Sequence, residues 1–173
     1  ARHIARNTMN LNNKPCPCHS QQKYKKCCRP LHQGQRLADS PVELLRSRYC
    51  AYAIGECAYI LKTTHPLNPE SKKSPQEREK ELRLFAKHTD FQALEVLDEG
   101  MYAPSDYLQN EETSTKEAWV KFHAGLDQGG QDASFEEKSR FILEPVHGWR
   151  YASAEELVES DVTESKTSEI QTS

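Results

Sequence analysis

The stretch CPCHSQQKYKKCC, residues 16 to 28, gathers four of the chain's six cysteines into thirteen positions. Cys16, Cys18, Cys27 and Cys28 follow the spacing C-x-C-x8-C-C. A disulfide framework fits this poorly, because adjacent cysteines seldom bridge one another and the segment between them is rich in lysine. A structural zinc site fits better: thiolates are favoured ligands, and such a site uses four of them with no open position. Two thiol pairs on tight turns would then close a short segment around one ion. That segment has too little apolar surface to fold without metal. An iron–sulfur cluster or a redox pair is the alternative. Cys27 is the firmer ligand of the last pair; His32 or His19 could stand in for Cys28.

The residues around the cysteines suit that chemistry. A zinc ion with four thiolates carries a net negative charge, and Lys23, Lys25, Lys26 and Arg29 would offset it and favour the thiolate form. Tyr24, set among them, is expected to pack its ring over the site. The first 38 residues carry eight Lys or Arg and no Asp or Glu, so all 26 acidic groups lie in the rest of the chain. This asymmetry describes a basic module on an acidic body, with charge compensation at the metal as the plainer explanation.

With four ligand positions, Pro17, Ser20 and the KYKK run in place, CPCHSQQKYKKCCRPLHQG resembles the SEC-C motif, usual form CPCGSGKKYKKCCG, known from the C-terminus of the translocase ATPase SecA. It departs at His19 and Gln21, where the motif has glycines that ease a tight turn. The resemblance implies zinc binding and contact with a partner, which for SecA is the chaperone SecB or the ribosome. Lys23, Tyr24, Lys25, Lys26 and Arg29 are the expected partner-binding residues. No Walker motif is present, so a motor activity is not implied.

The body reads as α+β. Ser40-Pro41 followed by Glu43 is a helix start, and Leu44, Leu45, Tyr49, Tyr52 and Ala53 recur at helical period up to Gly55. ECAYILKTTHP reads as a second helix stopped by Pro66, and residues 75–88 as a third, highly charged one. Cys50 and Cys57 are expected to be core thiols, separate from the cluster. FQALEVLDEG, KEAWVKFHAGL, SFEEKSRFILEP and GWRYASA carry strand signals; in the second, Ala118, Val120, Phe122 and Ala124 alternate with Glu117, Trp119, Lys121 and His123. Helices first and strands after them predict helices packed on a curved antiparallel sheet.

LLRSRYCAYAIGECAYILKTTHP with EKSRFILEPVHGWRYA is similar to the YchJ-like family. That family joins a SEC-C module to a cone-shaped domain of the nuclear-transport-factor-two-like (cystatin-like) type. Where its members have a HERSRF-like run, this chain has EEKSRF, with Glu136 and Lys138 at the altered positions. The resulting division is a flexible N-terminus over 1–13, a zinc module over 14–38, the cone over 39–155 and an acidic, disordered tail over 156–173. Homodimerisation through the sheet is what the fold analogy implies.

Cones of this type leave a pocket at the wide end. Phe135, Glu137, Ser139, Phe141 and Leu143 share a face by alternation. If that face is the inner one, Glu137 enters an apolar concavity and needs a cation or hydrogen bonds. Arg48 is its expected partner, with Tyr52, Tyr59 and His65 nearby. The plainer reading is a structural Arg48–Glu137 pair.

No serine triad, phosphate loop or hydrolase metal motif makes a case for an enzyme. The lone aromatic of the basic segment argues against direct sequence-specific nucleic-acid binding. No apolar run reaches the roughly 18 residues of a membrane-spanning helix, and no secretory signal is evident, so the expected compartment is the reducing cytoplasm. The expected function is a zinc-binding interaction protein docking on a protein partner or the ribosome. The alternative is small-molecule binding or catalysis in the cone, with zinc purely structural.

Overall fold

The computed structural model describes residues 11–108 and 116–155. The expected tail over 156–173 and most of the expected flexible N-terminus lie outside these described residues. After the cysteine-rich turn comes a one-turn helix α1 (Arg29–His32), then α2 (Pro41–Ile54), α3 (Cys57–Lys62) and α4 (Pro75–His88). The strands follow as β1 (Asp90–Met101), β2 (Lys116–Gln128), a two-residue β3 (Gln131–Asp132), β4 (Phe135–Glu144) and β5 (Gly148–Glu155).

Local chemistry explains the helix ends. The Ser40 hydroxyl accepts the Glu43 N–H at 3.1 Å, with Pro41 in the first turn. Gly55 closes α2 at φ 76°, a left-handed conformation that costs glycine nothing sterically. Ser74 and Glu77 form a reciprocal capping box at the start of α4. Helix α3 stops at Lys62, ahead of Pro66. The Thr63 and Thr64 hydroxyls donate back to the carbonyls of Tyr59 and Ile60, both at 2.7 Å, and Arg48 Nη1 donates to the Ile60 carbonyl at 3.1 Å. These bonds satisfy the carbonyls that a helix end leaves open.

The strands form one antiparallel sheet in the order β1-β2-β4-β5, with β3 paired to β2. Bulges interrupt β1 near Gln92 and Leu97, and β5 opposite Arg140/Phe141. An extra residue on one strand bends it, so these positions account for the curvature. Gly100 faces Trp119 across the ladder, and a Cβ there would meet the indole at 2.7 Å. Only glycine lets the indole lie flat on β1.

Leu44, Leu45 and Tyr49 of α2 join Val120, Phe122 and Ala124 of β2 and Phe141 of β4 in one buried core. The alternation predicted for β2 and β4 therefore does point Val120, Phe122 and Phe141 toward the helices. Helix α4 has no buried residue and leans on the core through Leu82 and Phe85. Backbone bonds from His65 to Tyr151 (2.8 Å) and from Tyr151 to Thr63 (2.9 Å) sew the end of α3 to β5. Among the described residues no helix is long and apolar enough to cross a membrane.

Candidate metal centre and cone pocket

The cysteine turn is organised by backbone bonds. Cys16 N–H donates to the Gln22 carbonyl at 2.7 Å, His19 N–H to the Cys16 carbonyl at 3.1 Å, and Cys27 N–H to the Tyr24 carbonyl at 3.1 Å. His19 (φ 60°) and Gln21 (φ 65°) both occupy the left-handed region, at the two positions where the usual motif carries glycine. The turn keeps its shape without those glycines and carries the strain instead.

The Sγ atoms of Cys16, Cys18, Cys27 and Cys28 all lie within 4.8 Å of one another. Cys18 and Cys27 are 3.5 Å apart and Cys27 and Cys28 3.8 Å. Tetrahedral zinc, with Zn–S of about 2.3 Å, spaces its sulfurs about 3.8 Å apart, so the donor set fits that ion. Cys16, Cys18 and Cys28 are buried, Cys27 partly so, and the Ser20 hydroxyl lies 3.1 Å from the Cys27 sulfur.

A fifth thiol joins the cluster. Cys50, from the middle of α2, lies 3.8 Å from Cys16, sulfur to sulfur. The expectation that Cys50 stands apart is corrected: α2 runs directly beneath the turn. Cys57 is separate, its thiol 4.0 Å from the Glu79 carbonyl.

His32 sits within the same radius of Cys28 and Cys50, but both ring nitrogens are engaged. The Tyr24 hydroxyl meets Nδ1 at 3.0 Å, and Nε2 meets the Ser47 carbonyl at 2.8 Å. A carbonyl can only accept, so Nε2 carries the hydrogen and Nδ1 accepts from Tyr24. Burial holds the imidazole below its ordinary pKa, against the pull of the Ser47 carbonyl. His19 turns away, edge-on to the Tyr49 ring at 5.8 Å. In this arrangement a His32 nitrogen would have to give up one of its two hydrogen bonds to reach an ion.

The turn is thereby tied into the cone. Tyr59 packs against His32, ring centroids 4.7 Å apart and tilted, its hydroxyl 2.7 Å from Ser47 Oγ, and Arg46 Nη1 donates to the Cys18 carbonyl at 3.1 Å. Of the residues expected to meet a partner, Lys23, Lys25 and Lys26 are exposed and Arg29 is half-buried. Tyr24 is corrected: at 2 % exposure, with its hydroxyl turned to His32, it is part of the turn's interior.

The cone holds a cavity of about 310 Å³ between α2, α4 and the inner face of the sheet. Arg48, Tyr52 and Glu137 line it; Tyr59 and His65 do not. Tyr59 lies under the cysteine turn, as above. His65 is buried behind β5, where Nδ1 accepts the Leu67 N–H at 3.1 Å and Nε2 lies 3.6 Å from Glu144. For Tyr59, helical period places the residue on a face of α3 but not at a height along the cone; His65 lies past the end of α3, where helical period no longer applies.

The expected Arg48–Glu137 pair does not form. Glu137 Oε1 accepts from the Ser139 hydroxyl at 2.6 Å and from the Tyr151 hydroxyl at 3.1 Å. Arg48 lies over the Tyr151 ring, 4.9 Å from its centroid, and Nη1 reaches the Ile60 carbonyl, Thr63 and Thr64. Burial and the Glu137 carboxylate together push the Tyr151 phenol well above its usual pKa, so it stays a donor at neutral pH.

The buried ion pair is elsewhere. Glu117, 0 % exposed, accepts from Arg140 Nη1 at 3.0 Å and from the Leu108 N–H at 2.8 Å. Arg140 also donates to Glu155 at 2.8 Å and stacks on Tyr102 at 3.8 Å. This network lies on the sheet face away from the helices, roofed by the segment after β1. Alternation placed Glu117 on the polar face, and nothing in a period of two marks that part of the face as covered.

Comparison with known proteins agrees with this architecture. A family model for the SEC-C motif matches residues 13–30. A UPF0225 protein of Deinococcus radiodurans is 51% identical over 53 residues, which is 31% of this chain and 41% of that protein. The match thus spans well under half the length of that curated relative. The solution structure of a SEC-C motif containing protein from Rhodopseudomonas palustris has a TM-score of 0.63 at 29% identity, covering 83% of this chain and 98% of that one. The crystal structure of a SEC-C motif containing protein from Psychrobacter arcticus has a TM-score of 0.61 at 23% identity, covering 87% and 88%, a likeness of fold. The family model described as YchJ, middle NTF2-like domain, matches residues 40–154, well over half of the sequence, and the chain belongs to that family.

Proposed function

We propose that the segment over 14–38 holds one structural zinc through Cys16, Cys18, Cys27 and Cys28, and that its basic rim docks on an acidic partner, a protein surface or the ribosome. The observation that carries this is the rim itself. Lys23, Lys25 and Lys26 project from the turn around the thiol cluster, and no carboxylate among the described residues pairs with them. Six free thiols, five of them buried, suit a reducing compartment, which supports a cytoplasmic setting. With Tyr24 turned inward, the rim has no aromatic platform for unpaired bases, so an acidic protein surface is the first choice. The bonds from His32 and Arg46 make the rim a rigid projection of the cone.

The test is capture from a cytoplasmic extract at low and moderate salt. It compares the zinc-loaded protein, Cys27→Ser, and the pair Lys25→Glu with Lys26→Glu. A partner or ribosome retained by the first and lost by both variants supports docking. Recovery of the same partners by all three, or of none, overturns it.

A second reading has its own observation. Glu137 is held by two hydroxyls inside a largely aromatic cavity that Arg48 also lines, an arrangement suited to a small-molecule site in the cone with the zinc purely structural.

A further inference from the structure

Eight of the fourteen residues lining the cone cavity are aromatic. Their rings meet edge to face around it: Tyr49 with Phe91 at 5.3 Å, Tyr52 with Phe85 at 6.0 Å, Phe122 with Phe135 at 5.9 Å. Two of them, Phe85 and Phe135, are 36 % and 41 % exposed, so among the described residues apolar surface stands open to solvent.

Two charged groups reach this space. Arg48 is anchored through Nη1 to one carbonyl and two threonine hydroxyls, and its flat face is covered by Tyr151. Glu137 is anchored differently. Ser139, 1 % exposed, and Tyr151 both donate to Oε1. A carboxylate has acceptor capacity on both oxygens, and this one is half-buried beside aromatic rings. Ring faces carry negative charge density and attract cations, and a fixed carboxylate among them adds a directional acceptor.

We propose that the cone binds a small organic cation: a compact molecule with an apolar or aromatic body and one protonated amine. The body lies among the rings and the ammonium on Glu137. This rests on the reading of the cone as a small-molecule site and adds the chemical class of the occupant. A cavity of about 310 Å³ suits a ligand at the small end of those that protein pockets enclose.

The test uses the full zinc-loaded chain and three probes of similar shape: 2-phenylethylamine, neutral 2-phenylethanol and anionic 3-phenylpropionate. Affinity is read by calorimetry and location by the NMR shift of the Ala124 methyl, which lines the cavity. In the unmodified protein the amine should bind at least about tenfold more tightly than the alcohol, and Glu137→Gln should abolish that preference. The alcohol comparison stands on the unmodified protein alone if the variant does not fold. Tighter binding of 3-phenylpropionate overturns the cation assignment while leaving the cone a ligand site, with Arg48 as its recognition group. Failure of all three probes to move the Ala124 signal overturns both readings.

Discussion

The imidazole of His32 donates its Nε2 hydrogen to the backbone carbonyl of Ser47 at 2.8 Å, so a residue just beyond the cysteine cluster grips the middle of α2. Through Tyr24 on its other nitrogen, the same ring holds the turn between Cys18 and Cys27. A short metal-dependent segment has little core of its own. Here its interior continues into Cys50 and Ile54 of α2. The stability of the turn and that of the cone are therefore linked.

Separate roles follow for the sulfurs and for His32. Cys28→Ser should lose the proposed zinc, because only three of the four proposed ligands remain on the turn and the fifth thiol, Cys50, is fixed on α2. Cys50→Ser and His32→Gln should each keep one zinc per chain and lower the melting temperature. Metal content after gel filtration, with thermal unfolding of the same samples, reads both. A Cys50→Ser protein without zinc, or a Cys28→Ser protein with a full ion, would reverse the assignment of the ligands.

His19 and Gln21 carry the left-handed backbone of the turn, and Gln21 is exposed. Gln21→Gly should stabilise the zinc-loaded protein by about 0.5–1 kcal/mol, the relief of a left-handed side chain less the added freedom of the unfolded chain. His19→Gly should gain less, since it also gives up the ring contact with Tyr49. Denaturant unfolding of the two variants in parallel checks the order.

Arg140 is the cation for a fully buried carboxylate. Arg140→Ala leaves Glu117 without it and should cost about 3–5 kcal/mol, whereas joint replacement of Glu117 and Arg140 by leucine should recover most of that loss. A double variant no better than Arg140→Ala in chemical unfolding would show that the pair is not the source of the cost.

His65 sets a pH dependence. Burial lowers its pKa, with Glu144 pulling it up and Arg150 pushing it down. A histidine with a depressed folded-state pKa contributes its full stability above the unfolded value of about 6.5, and that contribution is lost as pH falls below it, because the unfolded chain takes the proton first. The melting temperature should therefore drop more steeply between about pH 6.5 and 5.5 in the unmodified protein than in His65→Gln. Parallel slopes in the two proteins would remove His65 from the acid response.

Ser40 with Glu43 and Gly55 were legible because a helix end is decided by hydrogen bonds and φ angles a few residues apart. The same holds for the cysteine turn: four thiols in thirteen positions can converge without help from the rest of the chain. The glycine positions of the motif likewise foretold where His19 and Gln21 bend the backbone. Alternation in β2 and β4 showed which side chains share a face, and it put Glu137 at the cavity. What period and spacing do not contain is the third dimension. Cys50 meets Cys16 across 34 residues, Arg140 meets Glu117 across 23, and Tyr151 in place of Arg48 meets Glu137. Those partners are chosen by how α2 lies across the sheet and by the bulges that curve it, and packing of the whole chain decides both.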